Sequence, residues 1–390
     1  MNAGFVRKPA SLPAPKDAVR RNGSRTHGAA DRIMERDGVA LMLALLFITL
    51  LTVIVVEYCY ETEVEAALVT NDEADFDAYV AAKSAVAAAM GLLTEDLLDV
   101  NNTGSAESDS FIDPWAFPAV AEPINDGMMQ YSIDDEYGKL NLNALFYMDP
   151  DGNVVENELL TATLGAFLEL RVQTLGLEEN PAEAILDWLD PDSDVRSAGA
   201  EAEYYSALEI PYPCKNGPMD SVDELLMIRG VTPELFFGIA AQQETQMPPE
   251  EPLLPLTEYL TVHGDSRGRI NVNTAEPEIL DALFDVWELA DPGQVETILE
   301  RRANENPFVN VDELTQLFGG RGRGRRRQAT PVQDVLTVSS RMFRVYGDGT
   351  AQDARVRIEA YVWRNPGQTD DGGTVEAEEV FRILDWRVTR

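Results

Sequence analysis

The sequence has few of the residues that bind zinc or form disulfides, with two histidines and two cysteines among 390 residues. Cys59 follows a long apolar run and Cys214 lies far into the chain, so we expect no disulfide between them. Zinc sites of the common four-ligand type need a cluster of cysteines and histidines. His27 and His263 belong to no such cluster, which excludes a zinc site of this type.

The short motifs of common enzymes are also missing. The chain has no Gly-x-Ser-x-Gly, no phosphate-binding loop and no cysteine–histidine pair. Hydrolysis by paired carboxylates needs a cleft in which one carboxyl group has a raised pKa, and no further part of such a catalytic set is visible. We therefore predict that the protein is not an enzyme, and we interpret His263 as a loop residue.

Basic residues are scarce, with 31 Lys and Arg against 68 Asp and Glu and a formal net charge of −37. Residues 1–38 hold eight basic and four acidic residues, so the remainder of the chain carries a charge of −41. Such a surface repels phosphate backbones and anionic lipid headgroups. We therefore expect no nucleic-acid partner.

Charge is absent altogether from Val39–Val56, an 18-residue run that ends at Glu57. A helix of that length rises about 27 Å, close to the roughly 30 Å hydrocarbon core of a membrane. A secretory signal has a shorter apolar region and ends in a small-x-small cleavage site, and this run does not. The basic residues before it predict a cytoplasmic N-terminus, with everything after Glu57 outside.

The membrane-spanning run continues into a soluble helix without a break. From Glu57 to Leu98 there is no proline, and apolar residues recur at helical spacing. The span and the soluble part together predict one helix of roughly 55–60 residues. This pattern resembles the N-terminal helix of the type IV pilin-like proteins. The resemblance implies that a prepilin peptidase cuts between Gly38 and Val39, which removes a leader of residues 1–38, or a shorter one if translation starts at Met34.

A glutamate is missing at the fifth position of the predicted mature chain, where Leu43 stands. Pilin-like proteins generally carry a glutamate there, which pairs with the N-terminal amine of a neighbouring subunit. A carboxylate in lipid is costly unless it is paired, so a subunit without it need not sit below another subunit. Within these families, this absence is typical of the K-type minor pseudopilin. A plain membrane anchor would also tolerate Leu43.

Beyond the helix, the pattern predicts strands on either side of a helical block. "MMQYSIDDEYGKLNLNAL" indicates a strand and a tight turn, and three further strands are predicted at Val335–Tyr346, Ala354–Trp363 and Val375–Val388. The segments "GDGTAQD" and "RNPGQTDDGG" are predicted to separate them. The fold prediction is therefore α+β: a pilin-like long N-terminal helix packs on an antiparallel sheet, interrupted by a large all-α insert.

We assign 1–38 to the leader, 39–56 to the membrane, 57–145 to the rest of the helix and the first strand region, 146–332 to the insert and 333–390 to the C-terminal strands.

The insert contains a repeated motif. "DEYGKLNLNAL" (Asp135–Leu145) matches "DSRGRINVNTA" (Asp265–Ala275), and each is followed by helices and by a Val-Asp-Glu-Leu segment. Ser221 and Asn310 are predicted N-caps before these two segments. We therefore predict two helical-hairpin, SAM-like repeats. The second also resembles the helix-hairpin-helix DNA-binding domain of secreted competence proteins, but it lacks the Gly-x-Gly turn that meets phosphate.

Two charged segments remain as candidate sites. Five acidic residues are expected to converge around a proline-broken helix end, and such oxygen ligands suit calcium; they are Asp187, Asp190, Asp192, Asp194 and Glu201. The alternative is a solvated acidic turn. The second segment is the basic loop Arg321–Arg327, which could bind an anionic surface or nucleic acid, or simply connect the insert to the next strand.

The combined order of these features, over roughly residues 33–390, resembles the type II secretion system minor pseudopilin K, also called general secretion pathway protein K. The stretches that carry the resemblance are "GVALMLALL", "LDWLDPDSD", "SVDELLMIRGV" and "GRINVNTA". It implies an inner-membrane subunit with a periplasmic globular part that caps the tip of the pseudopilus. It further implies bound calcium and, as partners, the I- and J-type minor pseudopilins and the major pseudopilin filament. A tip subunit of a type IV pilus and a helix-hairpin-helix DNA receptor are the alternatives.

Overall fold

One helix dominates the N-terminal part of the chain. The structure, a computed structural model, describes residues 30–98, 108–239, 253–287, 290, 293–319, 331–365 and 381–390. Helix α1 spans Ala30–Leu98, so the predicted long helix is confirmed. The chain divides into two compact units, one ending at Thr70 and the other running from Asn71 to Arg390.

Within the first unit, the apolar run lies on helix α1 with its side chains exposed. In the part of the chain that the structure describes, α1 is the one helix long and apolar enough to cross a membrane. The two hydroxyl groups of the apolar run are satisfied inside the helix, because Thr49 donates to the Leu46 carbonyl oxygen at 2.8 Å and Thr52 to that of Ile48 at 2.8 Å. Such internal bonding is what a helix surrounded by hydrocarbon requires.

In the second unit, helix α1 packs on a five-stranded antiparallel sheet. The strands are β1 (Glu122–Ile124), β2 (Gly127–Asp135), β9 (Met342–Ala351), β10 (Ala354–Arg364) and β11 (Phe381–Thr389), in the order β1-β2-β9-β10-β11. Alternate residues of β9 and β10 form a hydrophobic core with small residues of the helix, among them Ala78, Ala82 and Val86. We call this helix and sheet the head.

The predicted turn "GDGTAQD" is wrong, because β9 continues through most of it to Ala351. Only Gln352 and Asp353 turn the chain, and Gln352 adopts a positive φ of 51°. The glycines serve a different purpose. Gly347 and Gly349 face helix α1, where a β-carbon would overlap the backbone of Ala78 or Ala82, so glycine lets the helix lie directly on the strand.

Two of the predicted C-terminal strands also have different limits. The predicted strand Val335–Tyr346 is divided into β8 (Leu336–Thr337) and the start of β9. The first six residues of the predicted strand Val375–Val388 lie outside the described residues, and β11 begins at Phe381.

The insert lies between β2 and β9 and has its own hydrophobic core. Its helices are α2 (Glu158–Leu175), α3 (Ala182–Leu189), α4 (Ala202–Ser206), α5 (Pro233–Phe237), α6 (Pro277–Val286), α7 (Gly293–Ala303), α8 (Val311–Gly319) and α9 (Val332–Val335). It is not all-α. Its described residues form three short pairs of strands: β3 (Leu140–Asn141) with β6 (Leu260–Thr261), β4 (Phe146–Met148) with β5 (Val154–Glu156), and β7 (Ile270–Asn271) with β8.

The core of the insert starts before the boundary assigned from the sequence. Leu140, Leu142 and Leu145 belong to the hydrophobic cluster of the insert and are fully buried there, although the prediction placed 57–145 with the head. The two-residue strands β3 and β7 hold both copies of the repeated motif in that core. Strands so short leave no alternating pattern in the sequence, which explains why they were missed.

Both copies of the motif make the same hydrogen bonds. The Asn141 side chain accepts from the Asn143 amide at 3.0 Å, and the Asn271 side chain accepts from the Asn273 amide at 3.0 Å. The second asparagine of each copy then exchanges two bonds with one backbone position, Met219 in the first copy and Phe308 in the second. These positions lie two residues before the predicted N-caps.

Both predicted N-caps are confirmed. Ser221 forms a capping box with Glu224 at the start of a 3₁₀ helix, and the Asn310 side chain accepts from the Glu313 amide at 3.0 Å at the start of α8. The repeated sequence therefore corresponds to a repeated set of contacts.

A buried polar cluster connects the head to the insert. The Asp135 carboxylate, at the end of β2, accepts from the Thr274 hydroxyl at 2.5 Å and from the Ser340 hydroxyl at 2.6 Å. Next to it, the Arg364 guanidinium pairs with Asp109 at 2.5 Å and with Asp96 of α1 at 3.1 Å. Because these charged groups are buried, each depends on its partner.

Candidate functional site

The acidic segment lies where helix α3 ends. Asp187 is on the last turn of α3, Asp190 caps its C-terminus, and Pro191 directs the chain into a loop that runs to Glu201 at the start of α4. Proline cannot continue a helix because it lacks a backbone N–H. The loop therefore leaves the helix directly after Asp190, which allows acidic groups from both of its ends to meet.

Three of the five predicted ligands come together. One oxygen from each of Asp190, Asp192 and Glu201 lies within 4.8 Å of the others. Asp190 Oδ1 and Glu201 Oε1 are buried, and within the described residues neither has a hydrogen-bond partner. The Asn216 side-chain amide donates to the Asp192 carbonyl oxygen and to Glu201 Oε2 at 3.4 Å, which links the two ends of the loop.

The structure does not bring Asp187 and Asp194 into this group. Asp187 is fully buried, and its carboxylate accepts from the Arg196 side chain at 2.7 Å and from the Arg196 backbone at 3.2 Å. A β-carbon at Gly199 would overlap the Asp187 carboxylate, so the end of the loop packs directly against Asp187. Asp194 is exposed, and its amide donates to Asp192 Oδ1 at 2.8 Å.

Arg196 and Asn216 belong to this site but were not predicted from the sequence. The Arg196 guanidinium contacts the carboxylates of both Asp187 and Asp190, and also Glu156 Oε2 at 3.2 Å. The one signal in the sequence is a single basic residue in the acidic stretch "DPDSDVR". Arg196 neutralises part of the charge through Oδ2 of Asp190, and Oδ1 of Asp190 has no hydrogen-bond partner among the described residues.

Burial makes the ionised form of the group costly. It raises the pKa of Asp190, and the hydrogen bond from Arg196 opposes this shift. Burial also raises the pKa of Glu201, and the charges of Asp190 and Asp187 act in the same direction. A cation bound among these oxygens would remove the penalty, because it supplies the charge and the coordination that the carboxylates lack.

The other candidate sites lie on helix α1 or outside the described residues. Gly38, Val39 and Leu43 lie on helix α1. Apart from the adjoining helix backbone, no described atom is within 4 Å of a β-carbon built at Gly38, and the Leu43 side chain is exposed. The basic loop Arg321–Arg327 lies outside the described residues.

Comparisons with known proteins agree on one family. Two family models, both described as "Type II secretion system (T2SS), protein K", match residues 138–239 and 270–338. Each match begins inside one copy of the repeated motif. Among curated relatives, type II secretion system protein K of Aeromonas hydrophila is 30% identical over 334 residues, which cover 83% of this chain and 91% of the relative. The protein K of Klebsiella pneumoniae is 29% identical over 258 residues, 63% of this chain and 70% of the relative.

A solved structure has the same fold. It comes from the GspK-GspI-GspJ complex of the enterotoxigenic Escherichia coli type 2 secretion system, with a TM-score of 0.59 and 20% sequence identity. The match covers 83% of this chain and 99% of the solved one. The relative from Aeromonas hydrophila extends the likeness to nearly its whole length. The chain therefore belongs to the protein K family of the type II secretion system, the K-type minor pseudopilins.

Proposed function

We propose that this minor pseudopilin caps the tip of the type II secretion pseudopilus. The observation that carries the proposal is the insert, which leaves the sheet after Asp135, returns at Met342 and has a separate hydrophobic core. The folded part of the insert occupies space in which another subunit would otherwise pack. Leu43 supports the same position, since it provides no carboxylate for the N-terminal amine of a neighbour.

The partners in this proposal are the I- and J-type minor pseudopilins and the major pseudopilin filament below them. The solved structure with this fold was determined as a complex of GspK with GspI and GspJ. The subunit would work without catalysis: its apolar helix holds it in the inner membrane, its globular part lies in the periplasm, and it leaves the membrane as the filament grows. We interpret the two halves of the insert as SAM-like hairpins, supported by their equivalent asparagine contacts.

Cleavage of the leader is expected between Gly38 and Val39. N-terminal sequencing of the protein from cells with active prepilin peptidase should give a mature chain that starts at Val39. Cells without the peptidase should retain the leader, and a Gly38→Leu variant should do the same in normal cells. A Gly38–Val39 bond left intact in cells with active peptidase contradicts the proposal.

We further propose that Asp190, Asp192 and Glu201 hold a calcium ion. The residues present fit this ion, since they offer carboxylate oxygens on a loop, and two of those oxygens are buried without a hydrogen-bond partner among the described residues. Calcium prefers oxygen ligands in flexible geometry. A bound ion would join the end of α3 to the start of α4 and so fix the loop between them.

Calcium is therefore expected to stabilise the protein against heat. A ligand that binds only the folded state adds about 2.7 kcal/mol at one hundred times its Kd, so millimolar calcium should raise Tm relative to a chelator. Asp192→Asn should abolish this rise, and because Asp192 is exposed the variant should still fold. Asp194→Asn is the matched control, since Asp194 is exposed and lies outside the group. The proposal fails if calcium leaves Tm of the unmodified chain unchanged, or if both variants behave alike.

A further inference from the structure

The two edges of the head sheet differ in whether they can accept another strand. Strand β1 is only three residues long and contains Pro123, which cannot donate a backbone hydrogen bond. Strand β11 is nine residues long and has no proline. Among the described residues, no strand pairs with its outer side. Short strands and proline are common ways to close a sheet edge, and only the β1 edge uses them.

The β11 edge is basic in a strongly acidic protein. Strand β11 together with Arg390 contains three arginines and one acidic residue, whereas the whole chain has a net charge of −37. Arg382 is exposed and forms no ion pair with any described residue. Arg387 pairs with Asp385 at 2.8 Å and with Asp223 at 3.6 Å, and Arg390 lies 3.7 Å from Asp75.

The two faces of β11 carry different side chains. Ile383 and Val388 pair with Val362 and Ile358, which belong to the core on the α1 side, yet both remain more than two-fifths exposed. Arg382 and Arg387 pair with Trp363 and Glu359, so they face the opposite side of the sheet. A strand added at this edge would meet exposed apolar groups on one face and arginines on the other.

We propose that the outer edge of β11 binds an extended segment of a neighbouring minor pseudopilin, one in which acidic and apolar residues alternate. The inference rests on the proposed function, because it takes the neighbour from the pseudopilus tip. Main-chain hydrogen bonds would supply the affinity. Pairing of acidic side chains with Arg382 and its neighbours would set the orientation and register.

Hydrogen exchange of the full-length chain in detergent tests this inference, measured alone and after mixing with the I- and J-type minor pseudopilins of the same secretion system. Alternate amides of an edge strand point away from its partner. In the isolated chain, the amides of 381–390 that point away from β10 should exchange fast. In the assembly, the same amides should exchange at least tenfold more slowly. The amides of β10, already paired on both sides, should change little.

Charge reversal at the edge provides a second test. Arg382→Glu should weaken assembly about tenfold, the effect of one contact worth about 1.4 kcal/mol. Arg355→Glu is the matched control: Arg355 is also exposed and also lacks an ion pair among the described residues, but it lies on β10 beyond the residues that pair with β11. The control should assemble normally.

The possible outcomes separate this inference from the proposed function. An assembly that forms, as judged by size-exclusion chromatography, while β11 exchanges as in the isolated chain overturns the edge proposal and leaves the tip function standing. Failure of the three proteins to assemble counts against the tip function itself. Amides of β11 that are already fully protected in the isolated chain would show that the edge is covered internally, which also overturns the proposal.

Discussion

A Gly349→Ala variant is expected to unfold with a free energy about 3 kcal/mol below that of the unmodified chain. A β-carbon at Gly349 would overlap the carbonyl oxygen of Ala78 and the amide nitrogen of Ala82. Both atoms belong to the backbone of α1, so no side-chain rotation relieves the contact and the helix must move off the sheet. Urea denaturation in detergent, followed by tryptophan fluorescence, measures the loss.

Gly91→Ala is the control for this substitution, because Gly91 lies on α1, the helix that Gly349 contacts. Apart from the adjoining backbone of the helix itself, no atom among the described residues is within 4 Å of a β-carbon built at Gly91, so alanine there should stabilise the helix by up to about 1 kcal/mol. If Gly349→Ala were as stable as the unmodified chain, the helix would not lie directly on β9.

The glycines of β9 illustrate where sequence reasoning about the fold succeeded and where it failed. The long helix could be predicted because its apolar residues and lack of proline are local signals. The extent of β9 could not be predicted, because "GDG" has the composition of a turn. The two glycines are instead required because the backbone of α1 lies directly against Gly347 and Gly349. That contact joins residues more than 250 positions apart, so no local pattern reports it.

The candidate calcium site could also be predicted from the sequence only in part. Asp190 and Asp192 could be predicted from their position beside Pro191, and Glu201 from its place at the next helix start. Asp187 was wrongly expected to join the group. It lies on the buried face of α3, and its carboxylate is used by Arg196. Arg196 reaches Asp187 and Asp190 only because of the path that the loop takes. The spacing of the residues in the sequence does not determine that path.

Replacing Arg364 with methionine is expected to destabilise the protein by about 3–5 kcal/mol, the usual cost of removing one partner of a buried ion pair. Arg364 pairs with Asp109 at 2.5 Å and Asp96 at 3.1 Å, and donates to the Ser340 carbonyl oxygen at 3.0 Å. Methionine keeps much of the side-chain volume over the Phe343 ring, so the loss reports mainly on charge. Thermal and urea denaturation measure it.

Two further variants decide whether buried charge is the cause. Arg357→Met, on the same strand, removes an ion pair with Asp348 in which the arginine side chain is 58% exposed, and it should cost less than about 1 kcal/mol. Adding Asp109→Asn to Arg364→Met should restore part of the stability, because the unpaired carboxylate is then neutral. Equal losses for the two arginines, or a double variant less stable than Arg364→Met alone, would mean that the buried pairing of Arg364 with Asp109 is not the cause of the loss.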